Sequence, residues 1–248
     1  IGAATVSVTS SYNQGATEAV YGGAVARLRG TGASAQLSFV SVDSNTSAAT
    51  ASAINHAYIH GTDVILSGAL TIAANGTSLA TADVEQASGA GYAAFGITVV
   101  EARADGDYAA YLDASGASVQ AASLAITTTY TAKATAQTTQ SVGGGVNTSG
   151  VAGKVNVANA KVGILADASV RGSVADGQIS GTAAILGAVN VKAAGTVLAL
   201  ASVQNPLIAL SGIDAAAKAL AAELAGTQRS RISGVRLTAN AVNVLSEL

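Results

Sequence analysis

Two short strand-like motifs return along this chain at a nearly fixed interval, and few folds accommodate that. Ala57-Tyr58-Ile59, Ala110-Tyr111-Leu112 and Val162-Gly163-Ile164 align, with central residues 53 and 52 positions apart. A second motif follows each: Leu70-Thr71-Ile72, Leu124-Ala125-Ile126 and Gly177-Gln178-Ile179, whose last residues are 54 and 53 apart. Recurrence on this scale marks solenoids, propellers and arrays. Other stretches alternate as well, among them Thr5-Val6-Ser7-Val8-Thr9, Ile97-Thr98-Val99, Val155-Asn156-Val157 and Val189-Asn190-Val191. Period two bounded by Gly, Asn and Ser is the pattern of half-buried strands. A four-stranded propeller blade fits the length, yet Trp-Asp and His-Gly blade signatures are absent. A parallel β-solenoid fits better, because stacked coils bring equivalent residues about 4.8 Å apart and place Tyr58 near Tyr111. The interval leaves open whether a repeat is one broad coil or two to three narrow ones.

Side-chain size points the same way. Half of the 248 residues are hydrophobic, but only 4% are aromatic and Met, Cys and Trp are absent, so the apolar half is mostly Ala and Val. Such side chains bury little area each, and stability must come from many regular close contacts. A net charge of −2 with no basic run excludes an ordinary nucleic-acid binder. Without cysteine there is no disulfide, thiol nucleophile or zinc knuckle. No basic region followed by an apolar run opens the chain, so no signal peptide is read. The chain starts mid-pattern at Ile1 and has no Met, which reads as a processed product or an excerpt of something longer. Its most apolar stretch, 181–203, is interrupted by Asn190 and Lys192 and reads as buried strands rather than a membrane span.

These observations predict an all-β chain, a parallel β-solenoid (β-helix) of ~53-residue repeats with a short C-terminal helix. The solenoid is expected over 1–204, in units of about 1–56, 57–109, 110–161 and 162–204, with small-residue patches at Gly22-Gly23, Ser88-Gly89-Ala90-Gly91 and Val142-Gly143-Gly144-Gly145. Residues 205–248 read as helix plus strands, a cap or junction. There Ile213, Ala217, Leu220 and Leu224 share one helical face, Asp214 pairs with Lys218 at i,i+4, and Gly226 offers a stop. Such a helix would cover a solenoid edge or dock a partner. Strand alternation resumes at Gly234-Val235-Arg236-Leu237-Thr238-Ala239.

The order of an Ala-Tyr-Ile motif, a turn with Asp or Gly, and a Leu-Thr-Ile motif runs from Ala57 to Ile72, from Ala110 to Ile126 and from Val162 to Ile179. It resembles the repeat arrays of very large bacterial filamentous adhesins of the autotransporter or two-partner-secreted type, including leukotoxin-like filamentous adhesins. The resemblance covers roughly residues 1–204, and Gly163 and the segment near residue 213 depart from it. It implies a β-helical, surface-exposed stalk with an adhesive or matrix role, located outside the cell or on its surface. Host-surface or matrix glycans are the partners it implies, and it carries over no catalytic residues.

The remaining motifs read mostly as structure. Gly89-Ala90-Gly91-Tyr92-Ala93-Ala94 matches a dinucleotide fingerprint literally, but that motif works only between a strand and a helix, and here an alternating strand follows. Gly150-Val151-Ala152-Gly153-Lys154 lacks the first glycine and the final Ser/Thr of a phosphate loop. His56 and His60 point to one strand face with Tyr58 between them; a zinc site wants three or four ligands and Asp63 is the only nearby third, so the pair reads as a surface pair. Asp105-Gly106-Asp107 resembles a fragment of a calcium loop or a solvated turn. Thr127, Thr129, Thr131 and Thr135 alternate as in a threonine ladder, although Ser180-Gly181-Thr182-Ala183-Ala184, the expected equivalent, breaks it. Asn45-Thr46-Ser47, Asn75-Gly76-Thr77 and Asn147-Thr148-Ser149 are sequons expected by chance in a Ser/Thr-rich chain.

Acidic residues concentrate over 63–113 and basic ones over 114–171, which would steer association between copies if the two zones lay on different flanks. No catalytic, cofactor-binding or metal site is assigned. The expected function is a non-enzymatic structural or adhesive segment of a bacterial extracellular fibre. The alternatives are a subunit that polymerises with itself into a surface or biofilm filament and, third, a β-helical polysaccharide-active enzyme relying on the acids of 83–113.

Overall fold

The computed structural model describes residues 2–12, 24–29, 40–86, 93–140, 151–204 and 213–248, and all regular structure among them is β-strand. The first level comprises β1 (Gly2–Ala3), β2 (Val6–Tyr12) and β3 (Ala24–Arg29). Three coils follow, each a long strand, a short strand and a second long strand. They are β4 (Val40–His60), β5 (Val64–Leu66) and β6 (Ala69–Gln86), then β7 (Ala93–Asp113), β8 (Ser118–Ala121) and β9 (Ser123–Gln140). The third coil is β10 (Val151–Arg171), a hairpin of β11 (Val174–Ala175) and β12 (Gln178–Ile179), β13 (Gly181–Ile185) and β14 (Ala188–Gln204). The last level is β15 (Ile213–Ser233), β16 (Val235–Thr238) and β17 (Ala241–Glu247).

Equivalent strands stack in parallel into three sheets. A front wall runs β15-β10-β7-β4, a corner sheet β1-β5-β8-β13-β16, and a back wall β17-β14-β9-β6-β2, with β3 also on β6. This is a parallel β-solenoid in which each repeat is one broad coil. Its length varies: the four front-wall strands begin at 40, 93, 151 and 213.

That variation corrects part of the register read from sequence. Tyr58 does lie opposite Tyr111, and Leu70 and Ile72 opposite Leu124 and Ile126. In the third coil, however, Tyr111 pairs with Ser169, and Gly163 pairs with Asp105. The partners of Leu124 and Ile126 are Val189 and Val191. Gln178-Ile179 instead closes an inserted hairpin against Val174-Ala175. Its turn residues Asp176 and Gly177 both have positive φ, 50° and 75°, as a tight two-residue hairpin requires. A fixed period cannot anticipate such an insertion.

The interior divides by side-chain size. Near the corner, Ile59, Leu112 and Val170 of the front wall meet Val64, Val119 and Ile185 of the corner and Leu70, Ile126 and Val191 of the back wall. Away from it the walls are faced with alanine, Ala102, Ala104, Ala158 and Ala160 on one side and Ala80, Ala82, Ala134 and Ala136 on the other. Alanine on both faces lets the walls close below the usual sheet spacing of ~10 Å, and facing strands such as β4 and β6 come within 8 Å, Cα to Cα. This is where the Ala-rich composition goes.

Tyr108 and Tyr130 mark the boundary between the two zones. Their rings stack inside the core, centroids 5.5 Å apart and planes within 8°. Glycines make the room: a Cβ at Gly76 would lie 2.3 Å from the Tyr108 ring, one at Gly106 2.2 Å, and one at Gly195 2.2 Å from Tyr130. The Tyr130 hydroxyl donates to Gln228 Oε1 at 2.5 Å. That of Tyr108 is buried and has no hydrogen-bond partner among the described residues, and burial, then Tyr12 and Tyr130, push its pKa up.

The C-terminal helix is corrected outright. Residues 213–224 lie within β15, which pairs with β10 in unbroken register from Val151–Ile213 to Arg171–Ser233. Alanine favours helix, but an isolated helix of about 12 residues is marginal in water, whereas the edge of β10 offers a hydrogen-bonded partner along its whole length. Leu220, Ala222 and Leu224 also satisfy a two-residue period, standing in columns with Ala158, Ala160 and Val162. Gly226 stops nothing; it lies mid-strand opposite Ile164. The expected strand after Gly234 is β16.

Candidate binding face

The C-terminal ends of the long front-wall strands carry the densest set of chemically capable side chains. Register stacks them on the outer side in columns: Ile54–Asp107–Leu165–Thr227, His56–Ala109–Asp167–Arg229, Tyr58–Tyr111–Ser169–Arg231 and His60–Asp113–Arg171–Ser233. Because side chains alternate along a strand, the intervening Asn55, Ala57 and Ile59 point into the core, where they are buried.

Neighbouring columns interlock. Tyr58 and Tyr111 stack at 4.9 Å with planes within 3°, and the Arg171 guanidinium lies 4.3 Å from the Tyr111 ring centroid. Arg171 also pairs with Asp167 and donates from Nε to Ser169 Oγ at 2.7 Å. Arg231 reaches the same Asp167 Oδ2 at 3.1 Å. His56 Nε2 lies 3.2 Å from Asp107 Oδ1, and His60 Nδ1 2.8 Å from Asp113 Oδ2. Burial, then Tyr58, push the Tyr111 phenol up, with Arg171 acting against them. A groove of about 380 Å³ opens among His56, Asp107, Ala109, Asp167, Arg171 and Arg229. Cationic, anionic, aromatic and apolar groups are thus fixed side by side on rigid strands, an arrangement suited to binding a polar ligand.

The two histidines share a face with Tyr58 between them, as alternation predicts. Each is matched to one aspartate of the next coil, while Asp63 is engaged elsewhere, accepting from the Ser118 amide at 2.8 Å. Among the described residues no group of three His, Cys, Asp or Glu side chains is placed to hold a metal. Asp105-Gly106-Asp107 is neither loop nor turn but part of β7, its aspartates outward and Gly106 against Tyr108. The acids of 83–113 do not converge: Asp83 and Glu85 lie on the back wall, the others on the front wall. Nor do acidic and basic zones occupy separate flanks, because Lys161 and Arg171 of β10 stand beside Arg103 and Asp113 of β7.

The other motifs dissolve into strands. Ala93-Ala94 opens β7 rather than a helix, and Val151 to Lys154 open β10. Residues 89–92 and 150 lie outside the described residues, as do the Gly22-Gly23, Ser88–Gly91 and Val142–Gly145 patches, Asn205-Pro206 and Asn147. The threonines do share the outer side of the back wall, but only Thr131 has threonine on both neighbours, Thr77 and Thr196. Thr135 lies between Thr81 and Leu200. Among the described residues no helix is long and apolar enough to cross a membrane.

The part played by Arg171, Arg229 and Arg231 was not read from the sequence. A signal existed: Ala57-Tyr58-Ile59-His60, Ala110-Tyr111-Leu112-Asp113 and Ala168-Ser169-Val170-Arg171 share the order small, polar or aromatic, aliphatic, charged. Aligning on that order places Arg171 beside Tyr111. No protein-family model, curated protein or solved structure matches this chain.

Proposed function

We propose that the chain is a non-enzymatic structural and adhesive segment of a bacterial extracellular or cell-surface fibre. The observation that carries this reading is the in-register pairing of the four 21-residue front-wall strands, β4 to β15. Every strand of the stack hydrogen-bonds to its neighbours, so the coils form one stiff body. A coil adds only about 4.8 Å along the axis but is up to about 70 Å wide, at about 3.3 Å per residue. Its product is therefore rigidity and broad, weakly charged faces more than length. In this role the face around Tyr58 and Tyr111 is the adhesive surface.

One observation favours a second reading, self-assembly into a filament. Among the described residues, β4 and β15 have no strand on their outer sides, and open edges of that length are templates for pairing with another copy. Leu220 and Leu224 on β15 are more than half exposed.

Electron microscopy and light scattering of the purified chain across a concentration series separate the two. Uniform particles of 23.9 kDa that never lengthen support the segment reading; filaments with a fixed axial repeat replace it with self-assembly. Release of reducing sugar from polysaccharide would overturn the non-enzymatic reading altogether.

A further inference from the structure

From the groove on the front wall we infer that the chain binds an acidic polysaccharide through a uronate-type sugar, Arg229 taking the carboxylate and the Asp107–His56 pair the ring hydroxyls. This rests on the adhesive reading above and supplies its ligand class.

Three features of the groove select that chemistry. First, its charges are unequally satisfied. Arg171 and Arg231 share one oxygen of Asp167, while Arg229, in register beside Asp167, makes no ion pair among the described residues. Arg229 is exposed, so its guanidinium is open to an anion. A planar guanidinium matches a carboxylate by paired N–H donors. Second, the groove also presents acceptors. Asp107 has one oxygen toward His56, and carboxylate acceptors call for a ligand rich in O–H donors. Asp107 and Asp167 would repel a phosphate dianion, whereas a ring bearing one carboxylate and several hydroxyls meets both demands. An acidic peptide supplies the carboxylate without the hydroxyls.

Third, the floor is shaped for a ring. The methyl group of Ala109 lies between the longer His56 and Asp167 in its column, leaving a depression. Leu165, 55% exposed, offers an apolar patch to the C–H side of a sugar. The volume of about 380 Å³ falls near the lower end of small-molecule sites, enough for one or two sugar rings. Asp113 and His60 adjoin the groove but are matched to each other and to Ser115, so they leave the balance around Arg229 unchanged.

The test is calorimetric titration of the full chain with trigalacturonate, with neutral galactotriose and with a triglutamate peptide, at about 150 mM salt, where nonspecific charge attraction is screened. Trigalacturonate is expected to bind at least about tenfold tighter than either control, the range of one lost charge-assisted contact. Arg229→Gln should weaken it by about tenfold or more, and Lys133→Gln on the back wall should leave it unchanged, with both variants keeping the parent's β-sheet circular dichroism. Absence of trigalacturonate binding overturns the inference, as does equal binding of the peptide, or a loss that Lys133→Gln reproduces. None of those results touches the particle-length experiment, so a rigid, non-lengthening segment that ignores uronates would leave the structural reading standing while this one falls.

Discussion

His60 Nδ1 lies 2.8 Å from Asp113 Oδ2, directly across the join between the first two long front-wall strands. The other Asp113 oxygen accepts from the Ser115 amide at 3.0 Å and the Ser115 hydroxyl at 2.5 Å. Burial pushes this carboxyl up, but the Ser115 bonds and His60 together outweigh it and hold the group below its ordinary value of 3.8. A carboxyl depressed in the folded state contributes stability that is complete above the unfolded value and is lost as pH falls through the folded one. Urea unfolding should therefore show a midpoint that declines below about pH 4. Asp113→Asn should flatten that acid decline; an unaltered decline would mean that other carboxyls produce it.

Gly106 and Gly76 hold the internal tyrosine in place by being absent as side chains. A Cβ at Gly106 would stand 2.2 Å from Tyr108 Cε2, and the ring has Gly76 on its other edge. Overpacking a formed core costs about 1–3 kcal/mol, so Gly106→Ala should lower stability by roughly that much, against the small gain alanine brings a strand. Tyr108→Phe removes a buried hydroxyl that has no partner among the described residues and is expected to be neutral or stabilising by up to about 1 kcal/mol. Denaturant midpoints check both signs; a clear loss in Tyr108→Phe would show that the hydroxyl is bonded after all.

The parallel solenoid was legible because alternation and the Tyr58–Tyr111 spacing are local facts that survive stacking. Register beyond the second coil was not. The front-wall strand starts at 93 and 151 are 58 apart, against 53 for 40 and 93. Val162-Gly163-Ile164 therefore matches the earlier motifs by composition alone, six residues short of the true partner Ser169, and the hairpin at Val174–Ile179 then displaces the back-wall motif. That slip hid Arg171 from Tyr111 and with it most of the candidate face. The false helix has a different cause. Ile213 to Leu224 fits a helical face and a two-residue period equally well, since alanine satisfies either, and only the neighbouring strand β10 decides between them.

Ala221 offers a sign test of that decision. It lies on β15 opposite Asn159, between the inward positions Leu220 and Ala222, and is exposed. In a helix, Ala221→Val would cost about 0.5 kcal/mol or more. In a strand the β-branched residue is favoured, by an amount within the ~1 kcal/mol span of strand propensities. The expected outcome is a denaturant midpoint equal to or above the parent's, with no helical signature in circular dichroism. A lowered midpoint would count against β15.

Arg171 joins its coil to the one before by stacking on Tyr111, and pairs within its own strand with Asp167, which takes Arg231 from the coil after. Partly exposed cation–π contacts contribute about 0.5–1 kcal/mol, and a surface ion pair up to about 1 kcal/mol. Arg171→Ala should therefore destabilise by about 1–2 kcal/mol. Arg171→Lys keeps the charge but loses the planar guanidinium that lies over the ring, and should recover less than half of that. A double-mutant cycle with Tyr111→Leu isolates the stack, and its coupling is expected at about 0.5–1 kcal/mol. By contrast, Glu223→Gln removes a pair with Lys161 whose side chains are 56% and 40% exposed, and should change stability by less than about 0.5 kcal/mol. A zero coupling between Arg171 and Tyr111, or a larger effect at Glu223 than at Arg171, would place the inter-coil contacts somewhere other than these two neighbouring columns.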